Sequence, residues 1–201
     1  MIKNIIFDLG NVLLRFKPEE FLLQFTSDKE YIKQFVPKIT RSKLWLDLDR
    51  GLESLENAEI IFISKYPEEK ELISLFFNHW MEMLTPIEDN INILLDLKES
   101  GYKTYILSNF IKETFKFMKE KFDFFTLFDG QIISAEEKVI KPEKAIYETL
   151  LRRYQLIPEE SLFIDDVLFF LKPAKKLGIS TIWNRPHTDL RKELKKFNVV
   201  I

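Results

Sequence analysis

Three short apolar runs in this chain each stop at a polar residue. Ile5-Ile6-Phe7 runs into Asp8, Thr104 to Leu107 into Ser108, and Leu162-Phe163-Ile164 into Asp165. Apolar character at every position, rather than every second one, marks strands buried on both faces. Gln131 to Ile133 and Ser180 to Trp183 are weaker examples. Helical spacings lie between them. Ile91, Leu94, Leu95 and Lys98 precede Gly101, and Ala174 and Leu177 precede Gly178, two glycines placed to end helices. Ile146, Leu150 and Tyr154 follow Pro142, which reads as a first-turn proline. Strand and helix alternate over the last half of the chain, and such alternation implies a parallel sheet covered by helices on both faces.

Residues 16–85 break the alternation. They contain no convincing strand. Pro18 to Phe25, Lys29 to Val36, Leu44 to Asp49, Ser54 to Lys65 and Glu68 to Leu84 read as helices, the last with Leu72, Phe76, Trp80 and Met83 on one face. The expected fold is therefore α/β, a doubly wound parallel sheet with a Rossmann-like core. Residues 1–15 and 86–201 form that core, and residues 16–85 form an all-helical insertion.

Length and composition fit this division. The 201 residues, 46% of them hydrophobic, suit one domain with an elaboration better than two full domains. With 30 Lys+Arg against 32 Asp+Glu the net charge is -2, which gives no polyanion-binding surface and makes nucleic acid an unsuitable partner. The absence of cysteine excludes disulfides and thiolate metal sites and is compatible with a cytoplasmic setting. The apolar run near the N-terminus, Ile5 to Phe7, is too short for a signal peptide, and no stretch approaches the roughly 18 apolar residues of a spanning helix. A soluble protein acting away from membranes is expected. Nothing in the sequence demands an oligomer or fixes its order.

Four polar signals sit just past strand ends or at loop-to-helix junctions: Asp8, Ser108-Asn109, Lys141-Pro142 and Asp165-Asp166. In open parallel sheets these ends border the ligand crevice. Each has a plain structural explanation taken singly. The aspartates, Ser108 and Asn109 are ordinary turn and cap residues, and Lys141 could be a solvated lysine. One chemistry accounts for all of them together. An aspartate attacks phosphorus to give an aspartyl-phosphate that water then hydrolyses. Bringing a carboxylate to an anionic phosphoryl group requires compensating cations, and the adjacent Asp165 and Asp166 repel each other unless a cation or proton is near. Mg²⁺, a hard cation with oxygen ligands, meets both needs, and Lys141 adds a fixed positive charge. The Ser108 hydroxyl and backbone N–H groups can donate to a phosphoryl oxygen.

At these residues the chain resembles the haloacid dehalogenase superfamily of hydrolases, most of which are phosphatases. The four motifs are IIFDLGNVLL (residues 5–14), YILSNF (105–110), IKPEKAIYETL (140–150) and LFIDDVLFFLKPAKKLG (162–178), in the family's order. The resemblance implies a helical cap, residues 16–85, that closes over the site and selects substrates. It implies Asp8 as nucleophile and metal ligand, the Gly10 carbonyl as a further metal ligand, Asp166 as the direct acidic ligand, and Asp165 acting through water or behind the metal. Ser108, with Asn109 beside it, would bind the phosphoryl group, and Lys141 would stabilise charge. The substrate would be a small phosphorylated metabolite. The Asp-Leu-Gly-Asn-Val run is similar to that of a bacterial subgroup that includes a glucose-1-phosphate phosphatase.

The pattern departs from the family twice. The second aspartate, two residues after the nucleophile, protonates the leaving group and later activates water in most family phosphatases. Here that position is Gly10. Loss of such a group typically costs about 10²–10⁴-fold in rate. Either another group does this work or the leaving group departs easily, as the anomeric hydroxyl of a sugar 1-phosphate would. In addition, Phe169 and Phe170 stand where motif four often has Asn or Asp, so a polar partner of the lysine or metal is expected to be missing. The rival readings are a non-catalytic binding or regulatory module and a dehalogenase. Asp165-Asp166 argues against the dehalogenase, and joint retention of Asp8, Ser108, Lys141 and Asp166 argues against the module.

The remaining polar residues weigh less. His79 and His187 are the only histidines, so a histidine metal site is not expected, and His79 beside Trp80 reads as structural. Trp45, Asp49 and Arg50, before Gly51, could contact substrate or form a solvated helix end. Lys192, Lys195 and Lys196 read as a solvated face.

Overall fold

A computed structural model describes residues 1–201. The chain opens with β1 (Asn4–Phe7) and β2 (Leu14–Phe16). Five helices follow: α1 (Pro18–Leu22), α2 (Lys29–Thr40), α3 (Lys43–Asp49), α4 (Leu55–Lys65) and α5 (Lys70–Asn78). A 3₁₀ turn at Trp80–Met83 leads into β3 (Leu84–Pro86). The rest alternates: α6 (Glu88–Glu99), β4 (Lys103–Ser108), α7 (Lys112–Lys121), β5 (Gly130–Ile133), α8 (Ser134–Glu137), α9 (Lys144–Arg153), β6 (Ser161–Asp165), α10 (Leu168–Lys176), β7 (Ser180–Trp183) and α11 (Leu190–Lys195).

Five strands form one parallel sheet in the order β5-β4-β1-β6-β7. β1 lies at its centre, with Phe7 level with Ile106 of β4 and with Ile164 of β6. Side chains alternate across each strand, and both faces are covered. Ile6, Leu107 and Phe163 pack with Ile146, Tyr147 and Leu150 of α9 and with Leu171 and Ala174 of α10. Ile5, Phe7, Ile106 and Ile164 face the opposite layer, where Leu94 and Leu97 of α6, Met118 of α7 and Leu194 of α11 are buried. The sheet is therefore doubly wound. The chain runs from β1 outward to β4 and β5, then crosses to the other side for β6 and β7. Strand order reverses beside β1, which places the crevice above the carboxyl ends of β1, β4 and β6.

The segment between β2 and β3 is helical and has its own aromatic packing. The Trp45 and Trp80 rings meet edge-on at 4.8 Å, with Phe76 6.0 Å from Trp45 and Phe16 4.8 Å from Trp80. The Trp80 indole N–H donates to the buried Thr114 hydroxyl at 2.8 Å, which ties this segment to α7.

Three local expectations are corrected. β2 and β3 pair antiparallel, Leu14 opposite Pro86 and Phe16 opposite Leu84, at the two ends of a region that reads as strand-free. The helix expected over Glu68 to Leu84 is broken. α5 ends at Asn78, and Trp80–Met83 tightens to a 3₁₀ turn that feeds β3. Pro142 is not in the first turn of a helix. The Lys141–Pro142 peptide is cis, and α9 starts at Lys144 behind Glu143.

Candidate active site

The carboxyl ends of the central strands bring Asp8, Ser108 and Asp165 together, and the loop between α8 and α9 adds Lys141 to form one buried cluster. Lys141 is 1% exposed and Asp165 fully buried. An ammonium group survives such burial only if anions surround it. Lys141 Nζ lies 2.6 Å from Asp165 Oδ2 and 2.9 Å from Asp8 Oδ1. Burial alone would lower the lysine pKa, but the charges of Asp165 and Asp8 and the hydrogen bonds to them outweigh it and raise it. The rings of Phe163 and Phe170 lie 5.4 and 5.1 Å from Nζ. Phe170 thus gives the lysine an aromatic neighbour where a polar one was expected to be missing, whereas Phe169 is exposed.

The atoms of Asp8 are used unequally. Oδ1 accepts from the Ser108 hydroxyl at 2.6 Å as well as facing the ammonium. Oδ2 accepts no hydrogen bond from the protein; a Cβ at Gly10 would lie 4.0 Å from it and meet nothing else. Leu9 is fully buried, yet its N–H donates to no protein acceptor, and neither do those of Gly10 and Asn109. An unpaired buried donor such as Leu9 N–H is rare, and the half-buried Gly10 and Asn109 N–H groups are also left without protein acceptors, which is the kind of free backbone donor that anions take up. The sequence points to backbone donors here without saying which, although a glycine inside the Asp-Leu-Gly-Asn turn is the residue that lets backbone come close.

The Asn109 side chain turns to the Lys141 backbone. Its amide NH₂ donates to the Lys141 carbonyl at 3.1 Å, and its Oδ1 accepts from the Lys141 N–H at 2.8 Å. One amide N–H and Oδ1 are thus engaged in fixing the Lys141 backbone, while the main-chain N–H has no protein acceptor.

Asp166 stands at the rim. Its Oδ2 accepts from the Asn11 amide at 3.1 Å, and Asn184 in turn donates to the Asn11 carbonyl at 3.0 Å. Asn11 holds a left-handed backbone (φ 52°) that asparagine tolerates better than most residues. Carboxylate oxygens of Asp8, Asp165 and Asp166 lie within 4.8 Å of one another. Burial drives the Asp165 pKa up to about 7 against the pull of Lys141. Burial, then the charge of Asp8, lifts Asp166 to about 6. Three carboxylates facing one ammonium leave two negative charges uncompensated, the charge that a divalent cation carries. The all-oxygen donor set suits a hard one.

His79 bonds Glu82 on the surface, away from this cluster. His187 lines a cleft of about 950 Å³ that opens at Asn11 and Asp166 and continues past Arg15, Lys17 and Arg185. Lys192, Lys195 and Lys196 are exposed, and no helix is long and apolar enough to cross a membrane.

Known proteins resemble this chain in sequence and fold. A sesquiterpene phosphatase of Aspergillus oryzae is 26% identical over 88% of this chain and 87% of its own length. A glyceraldehyde 3-phosphate phosphatase of Pyrococcus furiosus is 33% identical over 52% of this chain, and this chain spans 45% of that protein. A drimenol cyclase of Aspergillus calidoustus is 23% identical over 96% of this chain, which spans 36% of that longer protein. Among solved structures, a HAD family enzyme of Bacteroides thetaiotaomicron, an aspartate-to-alanine variant in complex with magnesium and inorganic phosphate, superposes with TM-score 0.74. It is 25% identical and covers 96% of this chain and 99% of its own. The family model of haloacid dehalogenase-like hydrolases matches residues 2–178, and the chain belongs to that family of hydrolases.

Proposed function

We propose that the chain is a Mg²⁺-dependent phosphatase of a small polar phosphate ester, acting through an aspartyl-phosphate on Asp8. The observation that carries this reading is the asymmetry of Asp8. Ser108 and Lys141 hold Oδ1, while Oδ2 is unpaired beside the free N–H groups of Leu9, Gly10 and Asn109. A nucleophile needs one oxygen oriented and the other free to attack, and an anionic phosphoryl group needs donors waiting for it. Asp8, Asp166 and the Gly10 carbonyl would hold the cation. Asp165 would stay behind it, because Lys141 and the Val167 N–H occupy its two oxygens at 2.6 and 2.7 Å. When bound, Mg²⁺ offsets the charge between nucleophile and phosphoryl oxygens. Lys141 orients Asp8 and sets a fixed positive charge beside it. The Ser108 hydroxyl lies within reach of a phosphoryl group seated on Asp8. The helical segment between β2 and β3 would serve as the cap.

The same fold also carries an L-2-haloacid dehalogenase of Xanthobacter autotrophicus, with TM-score 0.68 and 20% identity. Displacing halide from carbon needs no cation, so the three-carboxylate cluster favours phosphoryl transfer here. The cleft at Asp166 has only 5 hydrophobic residues among the 19 that line it. That cleft meets the carboxylate cluster only at Asp166 and holds none of Asp8, Ser108 and Lys141, so its lining favours a polar alcohol such as a sugar over a terpenoid only for a leaving group that extends past this rim.

Phosphate release from a panel of sugar, alkyl, glyceraldehyde and prenyl phosphates, with Mg²⁺ or with chelator, tests this. Turnover should require Mg²⁺ and favour the polar esters. Release that ignores chelation, or none from any ester by folded protein, would sink the reading.

The cation should also stabilise the fold in a pH-dependent way. Asp165 and Asp166 keep their protons to a higher pH when folded, so between about pH 4 and 7 the folded chain binds more protons than the unfolded one. Without metal, stability falls as pH rises through that window. Mg²⁺ needs the deprotonated forms, so its stabilisation grows over the same window. At about a hundredfold excess over Kd, Mg²⁺ adds about 2.7 kcal/mol, or roughly 5–10 °C in Tm for a chain this size. Thermal melts should show that shift at pH 7.5 and a much smaller one at pH 5.

A further inference from the structure

We infer that Asp49, from the helical segment, is the proton donor and acceptor that the core lacks at Gly10. The inference rests on the phosphatase reading above.

Two observations place Asp49 at the site. The first is how its loop is fastened. Ser42 caps α3 by accepting from the Trp45 N–H at 3.0 Å, and Asp49 is the last residue of that helix. Gly51 then turns the chain in a left-handed conformation (φ 63°). A Cβ there would come 2.5 Å from the Ala135 carbonyl oxygen, so this turn is pressed onto α8. The Asp49 carbonyl accepts from the Ser134 hydroxyl at 2.5 Å, and that hydroxyl accepts from the Phe110 N–H at 3.0 Å, two residues beyond Ser108. Lys138 donates to the Gly51 carbonyl, and Arg50 forms a two-pronged ion pair with Glu143, two residues beyond Lys141. Residues 49–51 are thus clamped over the ends of β4 and β5 and the Lys141 loop.

The second observation is the state of the carboxyl group. No hydrogen bond or ion pair in the protein ends on it; only its backbone carbonyl is engaged. It stands outside the Asp8, Asp165 and Asp166 cluster, so it is not spent on the cation. The core leaves space opposite, since a Cβ at Gly10 would meet only Asp8 Oδ2. The charges that face Asp49 are Lys141 and Asp8 from the core, with the Arg50–Glu143 pair and Lys138 fastening its loop. Burial, only partly opposed by Lys141, moves its pKa up to about 7, which suits a group that must both give and take a proton near neutrality.

The proton balance closes over one turnover. As Asp8 Oδ2 bonds to phosphorus, the bond from phosphorus to the leaving oxygen breaks. That oxygen keeps the electron pair and takes the proton of Asp49. Water then attacks phosphorus and gives a proton to the Asp49 carboxylate. The aspartyl–phosphorus bond breaks with its electrons returning to Asp8, and phosphate leaves.

Asp49→Asn separates this role from a structural one when assayed with Mg²⁺ on two esters. An alkyl phosphate needs leaving-group protonation, and p-nitrophenyl phosphate does not. On the alkyl ester the variant should lose about 10²–10⁴-fold in kcat/KM. It should also lose the alkaline limb of the pH profile that the wild type shows. On the aryl ester it should release a burst of one nitrophenolate per active site and then turn over slowly, because the aspartyl-phosphate forms but lacks its base. Alkyl-ester turnover within about threefold of wild type would overturn the inference, since a working acid is worth at least tenfold more. Disappearance of the burst would overturn it too, by assigning Asp49 to building the site. A folded wild type that hydrolyses neither these two esters nor any of the sugar, glyceraldehyde and prenyl phosphates would instead bring down the phosphatase reading, and this inference with it.

Discussion

Replacing Asp8 by Asn is expected to abolish phosphate release while leaving the fold intact. Asn keeps the shape of the side chain, and its amide oxygen can still accept from the Ser108 hydroxyl and Lys141. What disappears is the free anionic oxygen, and with it the covalent intermediate. For a residue that forms the bond, the loss is on the order of 10⁴-fold or more, equivalent to more than about 5 kcal/mol of transition-state stabilisation. Stability should move little or rise, because one of three mutually repelling carboxylates becomes neutral. Phosphate release and thermal melts on the same preparation decide it. Residual turnover above about 1% of wild type, with the same Mg²⁺ requirement, would mean that another group is the nucleophile.

Lys141→Ala has the largest expected effect on stability. The ammonium is 1% exposed and holds together Asp8 and the fully buried Asp165. Removing one partner of a buried ion pair typically costs about 3–5 kcal/mol, because the remaining charge is left uncompensated. For a chain of this size that lowers Tm by roughly 6–20 °C. The loss should depend on pH in a definite direction. Asp165 already titrates near 7 with the lysine present, and without it the carboxyl would hold its proton higher still. Below that range the Asp165 carboxyl is neutral and the vacated pocket is less costly, so the deficit should be larger at pH 8 than at pH 5. Denaturant titrations of wild type and variant at the two pH values measure it. Equal stability at pH 8 would show that the ammonium does not compensate the aspartates.

The sheet was legible because its strands are buried on both faces. Ile5 to Phe7, Thr104 to Leu107 and Leu162 to Ile164 stand out as unbroken apolar runs, and they form the central strands of the order β5-β4-β1-β6-β7. Leu14-Arg15-Phe16 and Leu84-Thr85-Pro86 show no such run. Each is three residues long, and only the distant partner makes it a strand. The break after Asn78 was hidden for a related reason. The apolar spacing of Phe76, Trp80 and Met83 continues across it, while the turn tightens to reach β3.

The site divides along the same line. Asp8, Ser108, Asp165 and Asp166 could be singled out because they sit at or just past strand ends, where topology alone gathers polar groups, and Lys141 because it stands at a loop-to-helix junction. The directions of side chains could not be read. The Asn109 amide turns to the Lys141 backbone, and Phe170 covers the lysine. Asp49 was ambiguous because a helix end in an inserted segment carries no register with the sheet. Only the ties of residues 49–51 to Ser134, Lys138 and Glu143 bring it to the core.

The small β2–β3 ladder also bears on how such a chain can diversify. Everything from α1 to the 3₁₀ turn leaves and re-enters through two strands already bonded to each other. Because that ladder fixes the two junctions side by side, lengthening or shortening what lies between them changes closure entropy only slowly, by about 0.6 kcal/mol per doubling. The excursion can therefore be exchanged for another of different size or shape without disturbing the register of β1. Chemistry in the strand ends and selectivity in the excursion are free to evolve at separate rates. If Asp49 carries the proton, this chain has given up part of that independence, since exchanging the excursion would also remove a reacting group.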